Sequence, residues 1–331
     1  MFRYPWSRVG VLLAIVLTAV GCQAAEPMAT APPVPVVAML DWFPNTNHTG
    51  LYVALEKGWY GDEGIEVEMI QPAEGSTLVQ VVAAGQADFG ISYQEEVTYA
   101  RAEDLPIVSI AAIIQHNTSG FASPEDRGIT RPKDLEGKRY GSWGSPIERA
   151  VLDVLMACDG GDVDEVEFID IGWADFFTVV QRDVDFAWIF YGWTGVEAEL
   201  RGMPVDVVML NDWSDCVPDY YTPVIITSEQ NVAEKPDLVR SFMAATARGY
   251  EFAIANPGEA AEILLKHAPE SNPDLVRRSQ EWLSPQYQAD APGWGEQKLE
   301  IWQEYADWMA DRELLPRHID AQEAFTNDFL P

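Results

Sequence analysis

From residue 34 onward, short β-branched runs alternate with amphipathic stretches, and this alternation limits the possible folds more than any other property of the chain. Strand-like runs at 34–40, 65–70, 88–92 and 107–114 are separated by helical patterns at 51–59, 78–84 and 95–102. That order predicts parallel strands joined by helical crossovers. A second set follows, with strands at 139–143, 166–171, 184–190 and 205–210 and helices at 146–157, 174–181 and 195–201. Two doubly wound units are expected, and the Pro-, Gly- and charge-rich stretch 123–133 reads as the crossing between them. One more strand at 223–227 precedes helices at 237–255, 258–267, 273–283 and 296–312, so the chain is expected to return to its first unit. The expected lobes are 36–120 with 216–331, and 121–215. Their shared crevice, at the carboxyl ends of parallel strands, is where such folds bind small ligands.

The first residues constrain location. Arg3 and Arg8 precede an apolar run at 9–20 that ends at Gly21 and Cys22, the order of a cleaved secretory signal over 1–21. The run is too short for a spanning helix, which needs about 20 apolar residues. Ala19-Val20-Gly21-Cys22 resembles the bacterial lipobox, with alanine where leucine is usual, so Cys22 is the expected lipid attachment site and 22–35 the expected tether. The other reading is a secreted protein in which Cys22 is incidental. With 53 acidic against 21 basic residues and a net charge of −32, the surface repels nucleic acid and other polyanions. Cys158 and Cys216 could pair in an oxidising compartment, but two cysteines make no disulfide framework, and buried or unpaired thiols are the favoured reading.

Three segments carry ligand-facing equipment. Asp41, Trp42 and Asn45 lie just after the first strand, where they offer a carboxylate, an indole and an amide; a helix-capping loop is the competing reading. Ser142, Trp143, Gly144 and Ser145 form a strand-to-helix turn whose N–H groups are expected to face the cleft. Phe186, Trp188 and Phe190 alternate as core, whereas Tyr191, Trp193 and Glu197 lie past the strand's end and are expected to touch ligand, as is Tyr93. Rings at each inferred cleft loop suit a flat heterocycle. The four histidines show no metal-ligand spacing and no Ser/His/Asp elbow occurs, so neither cofactor nor metal is expected.

Over 36–329 the chain resembles the vitamin-type periplasmic binding proteins related to the fungal thiamin-pyrimidine synthase. The residues that carry this are Leu40-Asp41-Trp42-Phe43-Pro44-Asn45-Thr46-Asn47-His48, Ala83-Ala84-Gly85-Gln86-Ala87-Asp88-Phe89-Gly90, Gly141-Ser142-Trp143-Gly144-Ser145-Pro146 and Asp219-Tyr220-Tyr221-Thr222-Pro223. The resemblance implies an α/β, two-lobed periplasmic-binding-protein type II fold with the ligand cleft between the lobes. It also implies a lipoprotein on the extracytoplasmic face of the cell membrane that delivers riboflavin or a thiamin pyrimidine to the permease of an ABC importer. The synthase carries a lysine and a histidine just after its equivalent of 88–91, and a cysteine-rich run near the return crossing. Those places hold Ser92, Glu96 and Cys216-Val217-Pro218-Asp219-Tyr220 here. Without that lysine, pyridoxal phosphate has no Schiff-base partner, and a binding protein is expected instead of an enzyme.

Overall fold

A computed structural model describes residues 1–3, 32–72, 78–172 and 174–331. Cys22, nearly all of the expected signal and most of the expected tether lie outside the described residues. The chain divides into a leading unit, Met1–Pro32, and a body, Pro33–Pro331. Among the described residues no helix is long and apolar enough to cross a membrane.

The body holds two five-stranded sheets. The first comprises β1 (Val34–Met39), β2 (Ile65–Ile70), β3 (Phe89–Ser92), β4 (Ile107–Ala112) and β10 (Val224–Ser228), in the order β2-β1-β3-β10-β4. The second comprises β5 (Ser119–Pro124), β6 (Arg139–Ser142), β7 (Glu167–Asp170), β8 (Phe186–Phe190) and β9 (Val205–Met209), in the order β7-β6-β8-β5-β9. Each sheet is mixed. β1 runs parallel to β2 and β3, and β6 to β7 and β8, while β10 and β5 each pair antiparallel with both neighbours. The antiparallel strand is in each case the one by which the chain enters the second sheet or returns to the first. β5 was not anticipated, and the segment joining the sheets is 113–118, not 123–133. The sequence Ser119-Gly120-Phe121-Ala122-Ser123-Pro124 lacks a β-branched pattern because it is packed from all sides: a Cβ on Gly120 would meet Val208 O at 2.5 Å.

Helices cover the sheets: α1 (Thr49–Glu56), α2 (Trp59–Asp62), α3 (Leu78–Ala83), α4 (Gln94–Ala102), α5 (Pro146–Cys158), α6 (Phe176–Val179), α7 (Val196–Arg201), α8 (Glu229–Glu234), α9 (Pro236–Ala255), α10 (Pro257–His267), α11 (Pro273–Leu283) and α12 (Leu299–Asp311). Strands β3 and β4 are buried along their whole length, as strands covered on both faces should be. The last helix serves both sheets. Trp302 packs with Met39, Tyr221 and Ile226 of the first, while Tyr305, Trp308 and Met309 join Phe121, Tyr140 and Phe186 of the second.

Cys158 and Cys216 are bonded to each other, 58 residues apart, with their Cα atoms 6.2 Å apart. This corrects the expectation of buried or unpaired thiols. Cys158 at the end of α5 is exposed and Cys216 half-buried, so neither sits in the apolar interior that would have kept it a thiol.

Helices α1 and α9 cross with backbones nearly touching. A Cβ on Gly249 would lie 1.9 Å from Gly50 O, and one on Gly50 would strike the Tyr250 ring at 2.3 Å. Both positions therefore exclude any side chain, and α1 follows directly on the loop at the end of β1. Gly249→Ala should destabilise the protein by at least about 3 kcal/mol, the upper range for overpacking. Its urea midpoint falls accordingly, whereas Gly258→Ala, where a Cβ meets open space, leaves the midpoint within about 0.5 kcal/mol.

Candidate functional site

Loop 40–48 leaves the carboxyl end of β1 and is tied from behind. The Tyr250 hydroxyl donates to Asn47 O at 2.7 Å, and the Tyr287 hydroxyl donates to Thr46 O. Asn45 caps the short helical turn Thr46–His48: its side-chain oxygen accepts from Asn47 N at 2.8 Å and its amide donates to Phe43 O at 3.1 Å. These bonds turn the fully buried His48 toward Asp41. His48 Nε2 donates to Asp41 Oδ1 at 2.6 Å, and the Tyr93 hydroxyl donates to Asp41 Oδ2 at 2.7 Å. Burial alone would raise the Asp41 carboxyl; the charge and hydrogen bond of His48 and the bond from Tyr93 outweigh it and hold the group below its usual range.

Tyr93 is the residue between β3 and α4. Its hydroxyl is pushed well above the usual tyrosine range by burial and by the charges of Asp41 and Glu96, so it stays a donor. Glu96, one turn into α4, accepts from Ser92 Oγ at 2.7 Å, and burial raises its carboxyl despite that bond. The Tyr93 ring faces Phe190 at the end of β8, centroids 6.5 Å apart and planes 17° from parallel. A residue at the end of the first sheet and one at the end of the second thus present flat faces to each other.

The second sheet contributes the turn after β6. Gly144 adopts φ +95°, which glycine accommodates. Contrary to expectation, the N–H groups of this turn point inward. Trp143 N and Ser145 N donate to the buried Glu148 carboxylate at 3.1 and 2.7 Å, Gly144 N donates to Ser142 Oγ at 3.0 Å, and Ser142 Oγ itself donates to Glu148 at 3.1 Å. Glu148, the third residue of α5, is the cause: a capping box consumes the donors. The Trp143 indole remains 40% exposed and leans on Trp188, centroids 5.3 Å apart. Trp42 is 38% exposed, edge-on to Phe43 beside Gln71 and Pro72.

Tyr191, Trp193 and Glu197 are not brought to Asp41 and Tyr93. Residues Tyr191–Gly195 make a π-turn that docks on α11. The Tyr191 ring packs on Trp282 at 5.3 Å and its hydroxyl donates to Glu199 at 2.7 Å, Trp193 packs against the first sheet's core, and Glu197 accepts from Arg201. Ser279 joins this turn to the first loop, donating to Gly192 O and lying 2.6 Å from Thr46 Oγ1. A depression of about 500 Å³ along the outer edge of the second sheet, lined by Arg139, Ile169, Asp170, Ile171, Thr178 and Arg182, includes none of these groups.

Sequence reasoning missed His48, Phe190 and Glu96. Asp41 and His48 are seven residues apart across a proline-containing loop, a separation no local periodicity connects. Phe190 was assigned to the core by strand alternation, which holds for Phe186 and Trp188 but ends where the strand leaves the sheet.

A family model described as NMT1/THI5 like matches residues 45–260. The chain belongs to that family. It is 29% identical to a formylaminopyrimidine-binding protein of Halalkalibacterium halodurans, over 96% of this chain and 97% of the relative. It is 27% identical to the riboflavin-binding protein RibY of Chloroflexus aurantiacus, over 98% and 97%. It is 26% identical to a 4-amino-5-hydroxymethyl-2-methylpyrimidine phosphate synthase of Legionella pneumophila, over 89% and 92%. Among solved structures it matches the alkanesulfonate-binding protein SsuA of Xanthomonas axonopodis with a TM-score of 0.67 at 14% identity, covering 90% of this chain and 99% of that one. The fold is that of the periplasmic binding proteins.

Because the carboxyl of Asp41 is held low in the folded state, its contribution to stability is present above the unfolded carboxylate value near 3.9 and is lost as pH falls through the folded value. Asp41→Asn should cost about 3 kcal/mol at pH 6. The gap between wild type and variant in urea unfolding should close as the pH is lowered below 4; a gap independent of pH would refute the assignment.

Proposed function

We propose that this chain is the substrate-binding protein of an ABC importer, held to the outer face of the cell membrane by a lipid on Cys22. The two sheets form the cores of two lobes, 36–118 with 216–331 and 119–215, the boundary lying at the start of β5 instead of the expected 120, and the lobes close on a planar heterocycle. The observation that carries this reading is the facing of Tyr93 and Phe190 across the two sheets. One aromatic layer between two rings needs about 7 Å, two contacts of ~3.5 Å each, and the centroids stand 6.5 Å apart, so the rings must part slightly to admit it. Asp41 holds the Tyr93 ring in that plane and is a positioning residue.

The charge at the site selects against anions. Asp41 and Glu96 act on Tyr93 by their charge, and among the described residues no lysine or arginine is one of the main groups that shift it. Such a site accepts from N–H and O–H donors and repels a sulfonate or phosphate. Riboflavin is the first choice as cargo, since the exposed rings of Trp42, Phe43 and Trp143, just past the carboxyl ends of β1 and β6, offer further aromatic surface to a three-ring system. A formylaminopyrimidine is the second, supported by the full-length similarity to a binding protein of that name. Catalysis is the reading from another class. The positions where the synthases carry lysine and histidine hold Ser92 and Glu96, which bond to each other, and neither forms a Schiff base.

Titration of tryptophan fluorescence with riboflavin, formylaminopyrimidine and an alkanesulfonate tests the reading. Riboflavin is expected to quench saturably at micromolar concentration and the sulfonate to do nothing. Tyr93→Ala and Phe190→Ala should each weaken binding more than about tenfold, some 1.4 kcal/mol. Quenching by none of the three, or turnover of the pyrimidine, would overturn it.

A further inference from the structure

Behind Tyr93, four elements meet around one hydroxyl. Glu95 comes from the first turn of α4, Asn117 from the crossing into the second sheet, Tyr220 from the return crossing and Tyr305 from α12. The rings of Tyr220 and Tyr305 stack at 4.3 Å and 28°. Asn117 is fixed by its own oxygen, which accepts from Ser119 N and Ser119 Oγ at 2.7 Å each, so its NH2 group is aimed the other way. The Tyr220 hydroxyl is the common neighbour: Asn117 and Tyr305 approach it, and Glu95 acts on it through space. None of these approaches reaches full hydrogen-bond geometry. Glu95 Oε2, Asn117 Nδ2 and Tyr305 Oη are each buried with no partner, although Asn117 is only 3% and Tyr305 0% exposed. Three orphaned polar atoms in one place cost stability and need a reason.

We propose that Glu95, Asn117 and Tyr305 form a polar subsite that receives a neutral hydroxyl- or amide-bearing arm of the ligand whose ring lies at Tyr93. The inference rests on the binding function proposed above and specifies the second half of its cargo. Asn117 offers a donor, Tyr305 a donor and an acceptor, and Glu95 the same pair while it is protonated. Burial, together with the neighbouring Glu96, pushes the Glu95 carboxyl up to about 8, which keeps it neutral at pH 7. The other titratable groups facing it are Tyr93, Tyr220 and Tyr305. An uncharged set of mixed donors and acceptors fits a hydroxylated chain or a formamide. An ionised arm would be left without a counter-charge.

The test uses ligand pairs that differ only in the arm: riboflavin against lumichrome, which lacks the ribityl chain, and formylaminopyrimidine against the same pyrimidine without its formyl group. Wild type should bind the arm-bearing member more tightly. Tyr305→Phe, Asn117→Leu and Glu95→Leu should each weaken that member about tenfold or more and the armless member less than about twofold. The melting temperatures of Tyr305→Phe and Glu95→Leu should stay level or rise, because each change removes an unpaired buried group, whereas Asn117→Leu also strips Ser119 N and Oγ of their acceptor and should lower it. Glu95→Gln, which keeps a neutral donor and acceptor, should retain affinity within about threefold. Equal losses for both members of a pair, or lowered melting temperatures with unchanged affinities, would assign these residues to folding or to a buried water and overturn the subsite while leaving the binding function intact. If wild type binds none of the four compounds, the binding function fails and the subsite falls with it.

Discussion

One buried carboxylate organises the candidate site. Asp41 is tolerated out of solvent because two donors reach it from separate elements, His48 from the turn before α1 and Tyr93 from the end of β3. Each donor is in turn held from behind. His48 sits where it does because α1 lies against α9 at the Gly50–Gly249 contact and because Tyr250 and Tyr287 grip the backbone of loop 40–48. Tyr93 is aligned because Gln94, next in the chain, donates its N–H to Tyr221 O at 3.1 Å and accepts the Tyr221 N–H at 2.8 Å. The orientation of one aromatic ring thus depends on a contact between two glycines, Gly50 and Gly249, the second of them 156 residues further along the chain.

What the sequence disclosed follows from how local each signal is. The parallel strands and long helices were legible because their periodicity is written into adjacent residues, and nearly every strand begins and ends within two or three positions of its expected bounds. β5 was not, because Ser119–Pro124 owes its conformation to neighbours on both sides, as the contact of Gly120 with Val208 shows. The turn 142–145 was placed correctly but its polarity was inverted: the glutamate three positions after its serine signals a capping box, and such a box uses the N–H groups that a ligand would otherwise find. Asp41 and Tyr93 were legible as polar and aromatic residues at strand ends, whereas their partners His48 and Phe190 are joined to them only by tertiary folding.

The two sheets repeat one strand order, and the chain binds them together at several points. Both crossings run side by side, where Asp219 accepts from Asn117 N at 2.9 Å and pairs with His116 at 2.6 Å while the same ring reaches Asp290 at 2.9 Å. The hydrogen bond it donates to Asp219 pushes the His116 ring up to about 9, despite partial burial, so it is charged between its two carboxylates at neutral pH. Helix α12 adds a rigid span, with Trp302 in one core and Tyr305 and Trp308 in the other. The bond between Cys158 and Cys216 anchors the return crossing to the end of α5.

The docking of Tyr191–Gly195 on α11 bears on how far the two halves can part. Gly192 has no side chain because Leu283 and Trp282 already occupy that space, at 2.9 and 3.0 Å from where a Cβ would stand. Any gaping of the crevice must peel Tyr191 from Trp282 and break the link from Ser279 to Gly192 before solvent can enter at that flank. That flank is thus closed by a zipper of apolar and hydrogen-bonded contacts that also carries the ion pair of Arg278 with Glu199 at 3.6 Å, and all of them must part together.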